Sequence, residues 1–455
     1  MNEKQNFTSG SILAPLIRFT LPILFALCLQ SMYGAVDLWV VGRFGAAADV
    51  SAVATGGQIM QTVMSVVASL SAGATILLGQ YVGQNDREGA AAVVGTAAAL
   101  FAALALALTG IMIFAARPFT AALQTPVAAV EQTVAYVRIC SGGAVCIVGY
   151  NLLGSIFRGL GDSRTPLIAV IAACVCNIAG DLLLVGVFRM GVAGAALATV
   201  FAQLFSVVLS LWRLTRRELP FPTGGGALRP RGAAAGRILK LGLPIALQDA
   251  LVSVSFLVIN AIVNGLGVIP SAGVGVAGRL CGFIMLVPLA YMQSLSAFVA
   301  QNIGAGQPRR ARKALLCGIG TSLCFAVVLS WLSFFHGDLL AGLFVKDPLV
   351  IQAAADYLKG YAIDTLLVSF HFCFSGYFSG CGRTKFVMLQ GITGAFGVRV
   401  PVSYLMSRSK PVSLLKVGLA TPLSSLAQLI LCVIYFLATR RKDEHAARLE
   451  TAAEE

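Results

Sequence analysis

Between residues 12 and 438 the chain is a succession of long apolar runs, so unbroken that each polar residue inside them needs a reason. Runs at about 12–41, 52–78, 90–115, 131–157, 165–188 and 191–213 are followed by others at about 238–264, 271–300, 313–335, 351–377, 385–407 and 413–438. At about 1.5 Å per residue, each is long enough as a helix to cross a hydrocarbon core about 30 Å thick. Such segments must satisfy their own backbone in lipid, which helices do. The expected fold is therefore an all-α polytopic membrane protein with twelve transmembrane helices. Only 11% of the residues are charged and 58% are hydrophobic, against roughly a quarter charged in soluble domains. The net charge of +14 does not form a stripe on a soluble domain. It sits between the apolar runs, where it meets anionic lipid, so the expected partner is a bilayer and not nucleic acid.

Met1–Gly10 is a short polar head with no small-residue cleavage pattern after the first run, so the first helix is expected to be retained. Pro22 should bend that helix, because it removes a backbone donor and crowds the preceding turn. Several of the cysteines, among them Cys28, Cys140, Cys174, Cys176 and Cys324, lie within apolar runs without zinc-type spacing and read as small buried hydrophobes.

The internal stretch most hostile to helix is 213–236, with Arg216, Arg217, Pro220, Pro222, three consecutive glycines, Arg229 and Arg231. It divides the chain into an N-terminal segment 1–11, a first six-helix bundle 12–213, a linker 214–236, a second bundle 237–438 and a tail 439–455. The halves repeat. Leu21-Pro22 recurs as Leu243-Pro244, Gln80-x-x-Gly83 as Gln301-x-x-Gly304, Tyr136 as Tyr357, and Phe157-x-Gly159-x-Gly161 as Phe378-x-Gly380-x-Gly382, all at an offset of 221 or 222 residues. Six helices per half lets both copies face the same way across the membrane. Loops on the side of the N-terminus collect about twenty Lys and Arg, including Arg158, Arg164, Arg309, Arg310, Arg383 and Lys385, and the opposite loops well under ten. Both termini should be cytoplasmic.

The intramembrane polar residues carry the function. Asn177 and Asp181 lie four apart, on one helix face, and a carboxylate at that depth costs a few kcal/mol or more unless it serves an ion or substrate path. A local cap or ion pair at a helix end is the alternative for Asp181. Gln30, Tyr33 and Asp37 form a second stripe, which must face protein or a water-filled cavity; Tyr33 as an interfacial belt residue and Asp37 as a helix-end marker is the simpler reading. In the second half, Asp249 and Asp364 give two further acids, and Gln248, Asn260 and Asn264 fit helix-to-helix hydrogen bonds as well as substrate contacts.

The chain resembles the multidrug and toxic compound extrusion (MATE) transporters from about Ile12 to Arg440. The resemblance rests on Val36-Asp-Leu-Trp-Val-Val-Gly-Arg-Phe-Gly45, Gly79-Gln-Tyr-Val-Gly-Gln84, the paired turns Arg158-Gly-Leu-Gly-Asp162 and Ser379-Gly-Cys-Gly-Arg383, and Gly194-Ala-Ala-Leu-Ala-Thr-Val-Phe-Ala-Gln203. It implies two pseudo-symmetric six-helix bundles arranged as a V in the bacterial inner (plasma) membrane, acting as a monomer. The implied activity is export of organic cations and amphipathic compounds in exchange for Na+ or H+, with no other cofactor. In DinF-like and related members the pattern places a cation site at Asp37, Asn177, Asp181, the Ala195 carbonyl and Thr199, with Gln30, Tyr33 and Asn151 lining the cavity and Pro22 as a hinge. In NorM-like members, carboxylates on the seventh and tenth helices point to Asp249 and Asp364 as substrate-cavity candidates, although these are out of clear register.

Oxygen donors of this kind suit Na+. Two neighbouring carboxylates in a low dielectric can equally hold a proton. Thr199, taken alone, reads as a helix-packing residue bonded back to its own helix. Three other functions compete. A lipid-linked oligosaccharide flippase of the same superfamily would use basic residues, for which Arg138, Arg279 and Arg399 are the candidates. A membrane enzyme is not expected, since His336, His371 and His445 do not cluster with acids or cysteines at ligand spacing. A channel would need symmetric rings or filter loops.

Overall fold

The computed structural model describes residues 7–217, 219–222, 226–409 and 413–454; parts of the expected N-terminal segment, linker and tail lie outside it, as do the side chains of Tyr33 and of residues 441–454. The described residues are helical, without strands. In the first half they form α1 (Leu13–Phe44), α2 (Ala47–Gly83), α3 (Arg87–Ala122), α4 (Val130–Gly142), α5 (Ala144–Gly159), α6 (Arg164–Asp181) and α7 (Gly191–Thr215). The second half holds α8 (Gly232–Asn264), α9 (Val268–Ile284), α10 (Leu286–Gly304), α11 (Pro308–Phe335), the short α12 (Gly337–Gly342), α13 (Pro348–Gly380), α14 (Thr384–Ile392), α15 (Val400–Arg408), α16 (Leu414–Gly418) and α17 (Ala420–Glu454).

All twelve expected runs are helical, and not all are equally apolar. Among the described residues, ten spans, counting joined helices as one, are long and apolar enough to cross a membrane, and an eleventh is α4 with α5, bent by 54° at Gly143. A Cβ at Gly143 would sit 2.6 Å from the Val200 side chain, so glycine at the break lets this bent span lie against α7. The twelfth, α13, spans 33 residues, with Asp356, Lys359, Asp364 and His371 diluting its apolar character.

Loops are closed by local chemistry. Asp86 caps α3 by accepting from the Gly89 amide at 2.8 Å, following Asn85 in the left-handed region at φ 55°. Between α5 and α6, Gly161 turns the chain at φ +79°. Asp162 then accepts from the amides of Arg164 and Thr165 at 2.9 and 3.1 Å and from the Thr165 hydroxyl at 2.7 Å, and it pairs with Arg217 at 2.6 Å.

Chain contacts divide the molecule into two compact units. The first is 1–249 with 293–314 and 379–384; the second is 250–292, 315–378 and 385–455. Packing therefore does not follow the linear halves 12–213 and 237–438, which remain the units of the repeat.

Within the first unit the repeated motifs meet each other. Gln80 Nε2 donates to the Gly380 carbonyl at 3.2 Å, and its counterpart Gln301 Nε2 donates to the Gly159 carbonyl at 2.8 Å. A Cβ at Gly83 would overlap the Gln301 carbonyl, and one at Gly304 the Gln80 carbonyl. Beside this crossing, Phe7 is 1% exposed and packs edge-on against Phe19 and at a tilt against Phe298. Arg310 donates to the carbonyls of Phe7, Ser9, Gly10 and Ser11 at 2.8, 2.8, 2.7 and 3.1 Å.

Candidate functional site

The first half builds its site where α1, α6 and α7 pack together. Small residues allow it: Gly180 approaches Ala198, and Gly194 lies under Leu184, so α6 and α7 come close enough for side chains of α1 to reach both. Asp37 on α1 is 4% exposed, and Asn177 and Asp181 on α6 are both fully buried. The Asp37 carboxyl faces Asp181, Asn177 and Thr199. Thr199 Oγ1 lies 3.0 Å from the Ala195 carbonyl and 3.5 Å from Asp37 Oδ2. Its single proton can serve only one of these acceptors at a time, and the shorter contact is the one back to its own helix. All five residues assigned to the cation site on sequence grounds thus fall on these three helices.

What distinguishes the cluster is unmet hydrogen bonding. Oδ1 of Asp37, both carboxyl oxygens of Asp181 and both amide atoms of Asn177 are buried with no hydrogen-bond partner among the described residues. Buried polar groups are ordinarily paired, and a buried unpaired carboxylate costs several kcal/mol. The one buried Arg or Lys among the described residues, Arg399, belongs to the second unit. Two carboxyls in this setting can be neutralised by a proton held between them or by a small hard cation, for which the carboxyl, amide and hydroxyl oxygens supply suitable donors. A π-helical segment, Leu182–Val187, follows Asp181 directly. Such segments interrupt the regular ladder and recur at functional positions.

The remaining candidates are dispersed. Gln30 is exposed and donates to the Tyr150 hydroxyl at 2.6 Å, tying α1 to α5. Asn151 is half-buried and bonds back to the Ile147 carbonyl at 2.9 Å. Tyr33 lies on α1, and Pro22 is inside the same helix. Asp249 accepts from Ser69, joining α8 to α2 in the first unit. Asp364 is fully buried in the second unit, facing Ser425 and Arg399. Arg138 and Arg279 are exposed on α4 and α9.

From the sequence Arg399 reads only as a cavity base, and composition gives no reason to select Ser403 or Thr421. The repeat offset was the signal that marks them. Leu197-Ala198-Thr199 recurs as Leu419-Ala420-Thr421, 222 residues on.

The pattern of the family described as MatE matches residues 22–183 and again 244–405. The chain is 28% identical over 404 residues to the probable multidrug resistance protein YpnP of Bacillus subtilis, covering 88% of this chain and 90% of that one. It is 25% identical over 362 residues to a protein of Shewanella oneidensis called FAD transporter, covering 79% and 80%. Its fold matches a crystal structure of MATE in the bent conformation with a TM-score of 0.90 at 19% identity, over 99% of this chain and all of that one. With the family pattern present once in each half, the chain belongs to the MATE family of membrane transporters.

Proposed function

We propose that this protein is a secondary active exporter that expels organic cations and amphipathic drugs in exchange for Na+ or H+, with Asp37 and Asp181 as the coupling pair. The observation that carries this reading is the buried pair of facing carboxyls with orphaned oxygens and no basic residue beside them. A site of that charge attracts a proton, a hard monovalent cation or a cationic substrate, and it repels an anion. Coupling then needs no further machinery. A cation on the pair stabilises one arrangement of the first half, its loss stabilises another, and the difference in affinity between the two arrangements drives transport. Asn177 and Thr199 supply neutral donors, and the Ala195 carbonyl completes the set.

The names of relatives, a probable multidrug resistance protein in Bacillus subtilis and a multidrug export protein in Staphylococcus saprophyticus, support a drug-export role. The Lys and Arg distribution supports an inner-membrane protein with both termini in the cytoplasm. Pro22 inside the first third of α1 is the natural point for that helix to change its bend, because the bond it lacks is already missing in either state. The test is resistance in a drug-sensitive bacterial host: Asp181→Asn should be produced at wild-type level and confer none. Full resistance from that variant would remove Asp181 from the coupling.

A further inference from the structure

The second half has its own version of the cation site, and its chemistry is inverted. The family pattern pairs 22–183 with 244–405, an offset of 222. Pro22 and Pro244 hold that offset in the first helix of each half, which sets Asp37 against Ile259. At Gly161 and Gly382 the offset is 221; the π-helical segment Thr393–Arg399 accommodates one added residue and restores 222. Asn177 is then answered by Arg399, Asp181 by Ser403, Ala195 by Val417 and Thr199 by Thr421. All five of these second-half residues are buried: Ile259 2%, Arg399 7%, Ser403 0%, Val417 1% and Thr421 1%. Both acids are gone, and a guanidinium stands where the first half has an amide.

That guanidinium lies in the second unit, with its Cζ 4.5 Å from the Phe256 ring centre and Nη1 3.5 Å from Ser255 Oγ, one helical turn before Ile259. Its Nε has no hydrogen-bond partner among the described residues, nor has either oxygen of Asp364. Tyr357 and Tyr361 also look onto it. Arginine does not give up its proton in a protein, so a buried Arg399 requires a buried negative charge. Among the described residues the buried carboxylates are Asp37, Asp181 and Asp364, and Asp364 is the one in this unit.

We infer that Arg399 is a resident cation: covalently fixed in the second half, it neutralises Asp364 and takes the place that an exchangeable cation takes in the first. The second half then carries no exchangeable ion, and coupling belongs to Asp37 and Asp181 alone. Asp364 is a counter-charge for Arg399 and is not an ion ligand. This rests on the export reading for the first half and on burial and register for the second.

The test uses the full-length protein with Asp364→Asn, Arg399→Gln, Arg399→Lys and the double variant Asp364→Asn with Arg399→Gln. Each single neutralisation leaves a buried charge alone, and the double removes both. Efflux of ethidium should fall about tenfold or more in Asp364→Asn and Arg399→Gln, and stay within about threefold of wild type in Arg399→Lys and in the double variant, with the ion dependence of the double unchanged. Melting temperatures of the purified proteins should follow the same order. If a single variant cannot be purified, the double decides alone. A double variant as inactive as Asp364→Asn, or singles indistinguishable from wild type, overturns the inference. Wild-type protein that moves no ethidium would sink the export reading, while the melting order would still decide this one.

Discussion

Gln80 and Gln301 occupy the same position in the two repeats, and each donates its side-chain amide to a glycine carbonyl in the turn motif of the other repeat, Gly380 and Gly159. Two of the four repeated motifs that reveal the duplication in sequence are thus in contact with each other. The reason is steric: Gly83 and Gly304 let the two helices cross with backbone against backbone, and once they are that close each glutamine reaches the opposite turn.

Removing either glutamine should cost about 1 kcal/mol, the net worth of one buried hydrogen bond. Gln80→Ala with Gln301→Ala should cost the sum to within about 0.5 kcal/mol if the bonds are independent. Gly83→Ala should be worse than either, because its Cβ meets a carbonyl that cannot move aside. Unfolding of the purified protein in detergent, followed by intrinsic fluorescence, would rank these variants.

Arg310 holds the stretch from Phe7 to Ser11 through four carbonyls. Arg310→Ala should free that stretch, and limited proteolysis should then cut the N-terminus faster than in wild type. Phe7→Ala, which empties a site between Phe19 and Phe298, should cost about 3–5 kcal/mol. Equal cutting rates in Arg310→Ala and wild type would show that the grip contributes nothing.

Thr199 is bonded back to Ala195 and only 3.5 Å from Asp37, a contact at the edge of hydrogen-bonding range. Thr199→Ala should therefore lower drug efflux by roughly two- to fivefold, the equivalent of about 0.5–1 kcal/mol. The loss should be far smaller than in Asp37→Asn. Minimum inhibitory concentrations in a drug-sensitive host would separate the two.

Asp37→Asn and Asp181→Asn should not be additive, because the carboxyls form one site and removing either disables it. The double variant should transport no less than the worse of the singles. Both singles and the double should fall to the same background level, and efflux retained above background in either single would mean that each acid acts separately.

Much of this was legible in the sequence, for physical reasons. Hydropathy alone gives the helices, because lipid demands long apolar runs; the repeat gives the two copies that the family pattern also matches. Asp37, Asn177 and Asp181 stand out because carboxylates and amides are costly in such runs, and the family pattern adds Ala195 and Thr199, which no composition rule would select. Three features were less visible. The need for glycine at residue 143 comes from the close approach of Val200 on another helix. Phe7 is buried against Phe298, and its carbonyl is held by Arg310, both about three hundred residues away, so local polarity marks that stretch as exposed. Arg399 reads from the sequence as a cavity base, because its relation to Asn177 appears only once the π-helical segment accounts for the change in offset.

The most direct measurement uses wild-type and Asp181→Asn protein in liposomes, following ethidium under an imposed Na+ gradient and then under an imposed pH gradient. If Asp37 and Asp181 couple ion to drug, wild type moves ethidium uphill under at least one gradient, and Asp181→Asn moves none under either. Uphill transport by Asp181→Asn at the wild-type rate would contradict the carboxylate pair as the seat of coupling.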